Sequence, residues 1–477
     1  MVDFEKLTQH LSELVQIPTV SDFDPAKEDE KAFETCLDRI RETYPVLYEQ
    51  ADFRRIGRRG LLFSIAGRLS SPAEGAEDTA EADDAGLSAA GQSVAGQSAA
   101  GQSAAGLKGP AVLMAHYDVV PVNEADWEEP PFSGVIKDGC LWGRGSLDTK
   151  GTLVCILENV SEALKEGWRP HKDLYLAFSG EEEVEGRSSD EIVSYLKEKG
   201  VEPAFVLDEG GAVIPEGLPG VKQRAVMIGI AEKGVANVKA TIKGAGGHAS
   251  TPPKHTLLGR MAKAACAVEK HQFRAQITPA TKAMFKVIGR QKGGAVGCAF
   301  RHIDLFKPGV APAASYLGGT FNAMVRSTAA VTMMEGSPSF NVLPGEVSMG
   351  INLRLLGTDT MESACRELEK AVNDAGIEFS VVSGSDPSPV SKVGGRAWHY
   401  LVKTAAAVWP DAIAAPYTLN GGTDSRFWHR ISSHVYKLTP MVMTKEERGT
   451  VHGANEKIRL EALKEMADFY GRLIRGL

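Results

Sequence analysis

Residues 111–120 read AVLMAHYDVV: five apolar residues, then His116, then Asp118. A short apolar run that ends abruptly in metal-binding side chains is the pattern of a buried strand whose carboxyl end opens onto a site. The same pattern recurs twice. Residues 173–183, DLYLAFSGEEE, run into Glu181, Glu182 and Glu183, and residues 203–211, PAFVLDEGG, run into Asp208 and Glu209. In open α/β sheets, function collects where the strands' carboxyl ends converge. Three such ends carrying His or carboxylate point to one site rather than to a solvated acidic surface.

Amphipathic helical stretches alternate with these strands, with helices predicted at 4–15, 28–43, 150–166, 188–198 and 457–474. Alternation of this kind predicts an α/β domain with a largely parallel sheet. The middle of the chain differs. AVMIGIAEKGVANVKATIKG reads as two strands, HTLLGRMAKAACAVEKHQ as a helix, SFNVLPGEVSMGINLRLLG alternates with period two, and TMESACRELEKAVNDAG is helical. That order predicts a separate, smaller α+β domain at 225–375, with the first fold occupying 1–224 and resuming over 376–477.

Residues 71–108 stand apart: an acidic piece leads into a tandem AGQS repeat without aromatics. So little apolar side chain cannot offset the entropy of ordering the segment, and the glycines weaken any helix, so a flexible insert between two strands is expected.

The bulk composition excludes some functions. The chain has 477 residues, 43% hydrophobic and 24% charged, with a net charge of −8. An acidic balance disfavours nucleic-acid binding, and no apolar run nears the roughly 20 residues that span a bilayer. Six scattered cysteines without a CxxC pair suit a reducing compartment, and the acidic N-terminal helix lacks the features of a signal peptide; a cytoplasmic protein is expected.

Two further candidates join the strand ends. Asp148 lies in LWGRGSLDTKGT, a Gly-rich turn entering a helix, where the Lys-Gly-Thr order does not fit a phosphate loop. His452 lies in GTVHGANEKI ahead of the last helix. Two histidines and several carboxylates form a mixed N/O set suited to zinc, or to cobalt or manganese. The surplus of carboxylates over one tetrahedral ion suggests two ions sharing a bridge.

The ordered motifs AHYDVVPV, WEEPPFSG, GRGSLDTKG, EEEVEG, VLDEGG, GGHASTPP, FNVLPGEVSMGINLRLL, GGTDSR and VHGANEK, with LSELVQIPTVS at the start, resemble the dinuclear zinc amidohydrolases. That family includes carboxypeptidase S, glutamate carboxypeptidase, aminoacylase and acetylornithine deacetylase, and the carboxypeptidase S branch looks nearest. The resemblance covers nearly the whole chain outside the insert. It implies a zinc-exopeptidase-like catalytic domain interrupted by a lid that commonly dimerises.

Residue by residue, the resemblance implies that Asp148 bridges two divalent ions, with His116 and Glu209 completing one site and Glu183 and His452 the other. Asp118 would orient His116 and Glu182 would be the general base. His248 would be the lid histidine that meets the oxyanion, from the partner subunit in dimeric relatives. Arg354 would grip a substrate carboxylate, with Asn341 and the backbone around Gly422 and Thr423 holding the rest. Two registers stay open. Glu185 stands where relatives often have Gly, so a shift by one would make Glu181 the base and Glu182 the ligand. Asp208 could replace Glu209, although the spacing of 26 from Glu183 favours Glu209. The implied activity is hydrolysis of an amide bond in a short peptide or N-acyl amino acid with a free carboxylate, of dipeptidase or carboxypeptidase type. An N-acyl amino acid deacylase and a catalytically silent metal-binding homologue are the alternatives.

Overall fold

The computed structural model describes residues 2–69, 104, 106–217, 221–306, 308–309, 312 and 319–477. The first helix, Phe4–Val15, starts where Asp3 accepts the backbone N–H groups of Glu5 and Lys6, and it buries Leu7, Leu11, Leu14 and Val15 on one face. Helices Glu30–Thr43, Lys150–Lys165, Ser188–Glu198 and Leu460–Gly476 also form where the periodicity predicts them. The last begins three residues later than expected, because Lys457–Arg459 is drawn into a small sheet against Cys140–Trp142.

The large sheet has the strand order Asp52–Ile56, Gly60–Ile65, Leu174–Ser179, Ala111–His116, Phe205–Asp208, Val435–Lys437, Ala225–Glu232 and Ile413–Leu419. From Leu174–Ser179 to Val435–Lys437 the pairing is parallel. Every residue of Ala111–His116 and Phe205–Asp208 is buried, as a sheet covered on both faces requires. Parallel register puts His116 beside Ser179, so the ends of these strands open at one place.

The smaller sheet is antiparallel, in the order Thr328–Glu335, Glu346–Leu355, Gly234–Lys243 and Ile377–Ser385. Val347, Met349, Ile351, Leu353 and Leu355 alternate inward against helices Leu257–Lys270 and Met361–Val372. This core is separate from that of the large sheet.

The boundaries differ from the expected 225 and 375. Strand Ala225–Glu232 belongs to the large sheet, parallel to Ile413–Leu419, and Ile377–Ser385 belongs to the small one. Both runs are apolar enough for either sheet, and only tertiary pairing assigns them. Between the lid strands the chain also returns to the catalytic core. Helices Pro279–Lys292 and Gly294–Arg301 were not foreseen, and Met284, Phe285, Ile288 and Val325 pack into the large-sheet core.

Of the insert 71–108, residues 71–103 and 105 lie outside the described residues. Its far end is built into the fold: Ala104 and Leu107 are buried, the Ala104 N–H donates to the Gly476 carbonyl, and Arg396 donates to that of Gly106. The flexible reading therefore does not extend to 108, because Leu107 has an apolar pocket to fill. Among the described residues, no helix is long and apolar enough to cross a membrane.

Candidate metal centre

Strand ends and two loops bring seven of the sequence-predicted residues together. His116 Nε2 lies 3.0 Å from Asp148 Oδ1 and 3.5 Å from Glu209 Oε1. His452 Nε2 lies 3.1 Å from Asp148 Oδ2 and 3.0 Å from Glu183 Oε2. The two oxygens of Asp148 thus face two different imidazoles. Ligand atoms of His116, Asp148 and Glu183, and of His116, Glu182 and Glu209, all lie within 4.8 Å of one another.

Asp118 has more to do than orient a histidine. His116 Nδ1 is 3.0 Å from its carbonyl oxygen and 3.4 Å from its Oδ1. Its carboxylate also accepts the N–H groups of Glu182 and Glu183, each at 3.1 Å, and the Ser21 hydroxyl at 2.9 Å. One buried side chain therefore aligns the histidine and both glutamates.

The acidic run resolves by where each side chain goes. Glu181 Oε1 accepts the Arg187 N–H and its Oε2 the Ser188 hydroxyl, at the start of the next helix. Glu182 and Glu183 turn to the cluster, and Glu185 is exposed with φ 53°, in the left-handed region that glycine prefers. At the neighbouring strand end, Asp208 Oδ2 accepts the Ser425 N–H at 3.0 Å, while Glu209 reaches His116.

The Asp148 loop is held by groups that sequence reasoning missed. Glu456 Oε1 accepts the N–H groups of Leu147 and Asp148, at 2.8 and 3.2 Å, and its other oxygen pairs with buried Arg144. Thr149 Oγ1 donates to the His116 carbonyl and accepts the His116 N–H. Lys150 Nζ donates to the carbonyls of Leu14 and Ile17, joining the loop to the end of the first helix. Glu456 and Arg144 fall inside VHGANEK and GRGSLD, and their place within these two motifs was the available signal.

The electrostatics follow from burial and charge crowding. Burial pushes Glu182 well above the usual carboxylate range, and the charges of Glu209, Asp424 and Glu183 push it further against the pull of His116. Burial also raises Glu183 and Glu209. Burial would raise Asp148 too, but the two histidines hold it well below the ordinary value. Hydrogen bonds that Asp148 and Glu183 accept from its ring lift His452 to about 10. Behind the cluster, burial pushes Asp424 to about 7 and Asp208 to about 6.

Crowded buried carboxylates that raise one another's pKa are what a cation relieves. Glu183 Oε1 is buried without a hydrogen-bond partner. With two imidazole nitrogens facing carboxylates, this donor set fits divalent metal binding.

The lid residues sit elsewhere. His248 lies in a two-stranded ribbon, Gly247–His248 against Val342–Leu343, Asn341 borders it, and both are exposed. The His248 imidazole bonds to the Ser250 hydroxyl and Asn341 accepts from Ser339. Arg354 lies half-buried on the lid strand beside the hinge, paired with Val235, and its charge helps depress Lys233 to about 8 after burial. Gly422 is exposed and Thr423 buried on a loop under the large sheet's edge. Among the described residues, no hydrogen bond or ion pair joins His248, Asn341 or Arg354 to the cluster.

The chain belongs to peptidase family M20/M25/M40, whose model matches residues 112–476, and it is a metal-dependent amide hydrolase. It is 32% identical over 370 residues to the N-fatty-acyl-amino acid synthase/hydrolase PM20D1 of Xenopus tropicalis, covering 77% of this chain and 72% of that one. It is 31% identical over 372 residues to the probable carboxypeptidase S-like 2 of Dictyostelium discoideum, covering 77% and 71%. In fold it is similar to the M20 family metallo-carboxypeptidase Sso-CP2 from Sulfolobus solfataricus (TM-score 0.66, 16% identity, 98% of each chain). Human carnosine dipeptidase 1 gives a TM-score of 0.64 at 16% identity, covering 99% and 95%.

Proposed function

We propose that this protein hydrolyses the amide bond of short peptides or N-acyl amino acids that carry a free carboxylate. The observation that carries the reading is Asp148 set between His116 and His452, with Glu182 raised by burial beside it. Two divalent ions, zinc in the first instance and otherwise cobalt or manganese, would be held by His116, Asp148 and Glu209 and by Asp148, Glu183 and His452. When bound, they supply Lewis-acid polarisation of the carbonyl and a more acidic water.

The chain's own residues do the rest. Glu182, whose carboxylate has a raised proton affinity, takes the proton of the attacking water and delivers it to the departing nitrogen. Asp118 holds Glu182 and Glu183 in register through their backbone N–H groups. Arg354 receives the substrate carboxylate as a guanidinium fork, Asn341 and the Gly422–Thr423 backbone hold the remainder, and His248 donates to the oxyanion. His248 does so from a second copy, in a homodimer formed through the lid. The exposed outer strand Thr328–Glu335, with Met333 and Met334 facing solvent, supports such pairing. The free state of all six cysteines supports a reducing, cytoplasmic setting.

Carboxypeptidase S-like and PM20D1 names among the relatives support both a peptide and an N-acyl amino acid reading. A panel of dipeptides and of N-acetyl and N-fatty-acyl amino acids, assayed with and without added zinc or cobalt, separates them. Hydrolysis of none of these by the metal-loaded enzyme would overturn the proposal.

A further inference from the structure

Strand Ala225–Glu232 of the large sheet and strand Gly234–Lys243 of the lid are separated by Lys233 alone. The return linker crosses at the same point. The Glu232 N–H donates to Ser388 Oγ at 2.8 Å and the Ser388 N–H to the Glu232 carbonyl at 3.2 Å. Gly234 has no room for a side chain there, since a Cβ would lie 2.5 Å from the Ser385 carbonyl oxygen and 2.6 Å from Pro387 N.

The Glu232 side chain leaves this crossing and enters the GGTDSR loop. Its Oε1 accepts the hydroxyls of Thr423 at 2.9 Å and Ser425 at 2.7 Å, and its Oε2 accepts the Thr423 N–H at 3.2 Å. Lys437 Nζ, fully buried, lies 3.3 Å from Oε1. Further ties run to the catalytic strand end, where the Ser425 N–H donates to Asp208, next to Glu209, and to Ser189, whose hydroxyl donates to the Asp424 carbonyl.

We propose that Glu232 is a positioning residue: from the domain hinge it fixes loop 421–425 so that Gly422 and Thr423 meet substrate only when the lid linkers are seated. The inference rests on the function proposed above. A buried ion pair contributes little net stability against an apolar pair of similar volume, so its role is better sought in register than in stability. Glu232 has that position. Its backbone adjoins one linker and hydrogen-bonds the other, and its carboxylate takes three donors from one substrate-facing loop.

The test uses the full-length, metal-loaded protein. Glu232→Ala with Lys437→Met removes the carboxylate without stranding its buried partner. Amide hydrogen exchange at Thr423 and Ser425 should speed by about tenfold or more, the loss of one or two hydrogen bonds. Metal content should stay at the wild-type value. KM should rise about tenfold while kcat stays within about threefold, as expected for lost substrate holding. Glu232→Gln with Lys437→Met keeps one acceptor oxygen for the two hydroxyls, loses the acceptor of the Thr423 N–H, and should return KM part of the way to wild type. Thr423→Val with Ser425→Ala should reproduce the KM rise, and adding it to the first variant should add little. This pair also carries the test if the Glu232→Ala variant does not fold. Unchanged exchange at the loop, additive effects, or a fall confined to kcat with loss of metal would overturn the proposal. If the wild-type enzyme cleaves no member of the substrate panel, the functional reading fails, while hydrogen exchange still decides whether Glu232 holds the loop.

Discussion

The metal cluster and the lid ribbon carry residues of equal importance to the proposed chemistry, yet they are built in opposite ways. At the cluster, the residues are held from behind: the Asp118 carboxylate by Ser21 and two backbone N–H groups, the Asp148 N–H by Glu456 and the His116 N–H by Thr149. On the lid, the His248 and Asn341 side chains are exposed and, among the described residues, bond to neighbours two residues away. The cluster is preorganised by one domain, whereas in the proposed reaction the lid's groups would acquire their partners from substrate or a second chain. Variants should therefore fail in different ways: by loss of metal or chemistry in the cluster, and by loss of a repairable contact on the lid.

The largest effect should come from Asp148→Ala. With the shared carboxylate gone, elemental analysis should find both ions lost and activity at background; full occupancy would end the two-ion arrangement. Next, Glu182→Gln should keep its metals and its melting temperature but lose about 10²–10⁴-fold in kcat, the range of general-base catalysis. If Glu181→Gln is instead the inactive, metal-replete variant, the register is shifted by one.

His248→Ala should cost about 10²–10³-fold, as loss of one oxyanion donor does. Unlike the cluster variants, it should be rescued in trans. Mixed with Glu182→Gln and allowed to exchange subunits, half the dimers carry one intact site of two, so activity should return to roughly a quarter of wild type. No recovery in a verified heterodimer would place His248 in its own subunit's site or outside the reaction.

Much of the cluster was legible because strand-end chemistry is local. A run such as AVLMAH followed by YD carries both the strand and the site, and helices such as 4–15 announce themselves by period. The supporting groups were not legible in this way. Glu456 and Glu232 look like ordinary charged residues until tertiary packing buries them against Arg144 and Lys437. Strands 225–232 and 377–385 fit either sheet by pattern, and helix 279–292 reads as lid until the catalytic core claims its apolar face. The role of Glu181 is set by the fold too, since three adjacent glutamates differ only in what each one meets.

Smaller effects sharpen that last point. Glu181→Gln should leave kcat unchanged and cost about 1–2 kcal/mol in denaturant unfolding, through its bonds to Arg187 and Ser188. Glu185→Gly relieves a left-handed backbone at some entropic cost and should shift stability by at most about 1 kcal/mol, with activity intact. The smallest effect of all should follow excision of residues 72–101 with a short Gly/Ser closure. Leu107 and Ala104 stay in place, loop length acts only logarithmically, and both activity and melting temperature should hold.

The excursion of residues 275–325 back onto the catalytic core bears on recombination between relatives. A lid bounded by two adjacent linkers invites a swap with cuts near 233 and 386. Such a chimera would also exchange Met284, Phe285 and Ile288, which fill the host's own apolar interior. Specificity grafts in this chain therefore need four crossovers, near 233, 275, 326 and 386, so that the small sheet travels and helices 279–301 stay with the core that packs them.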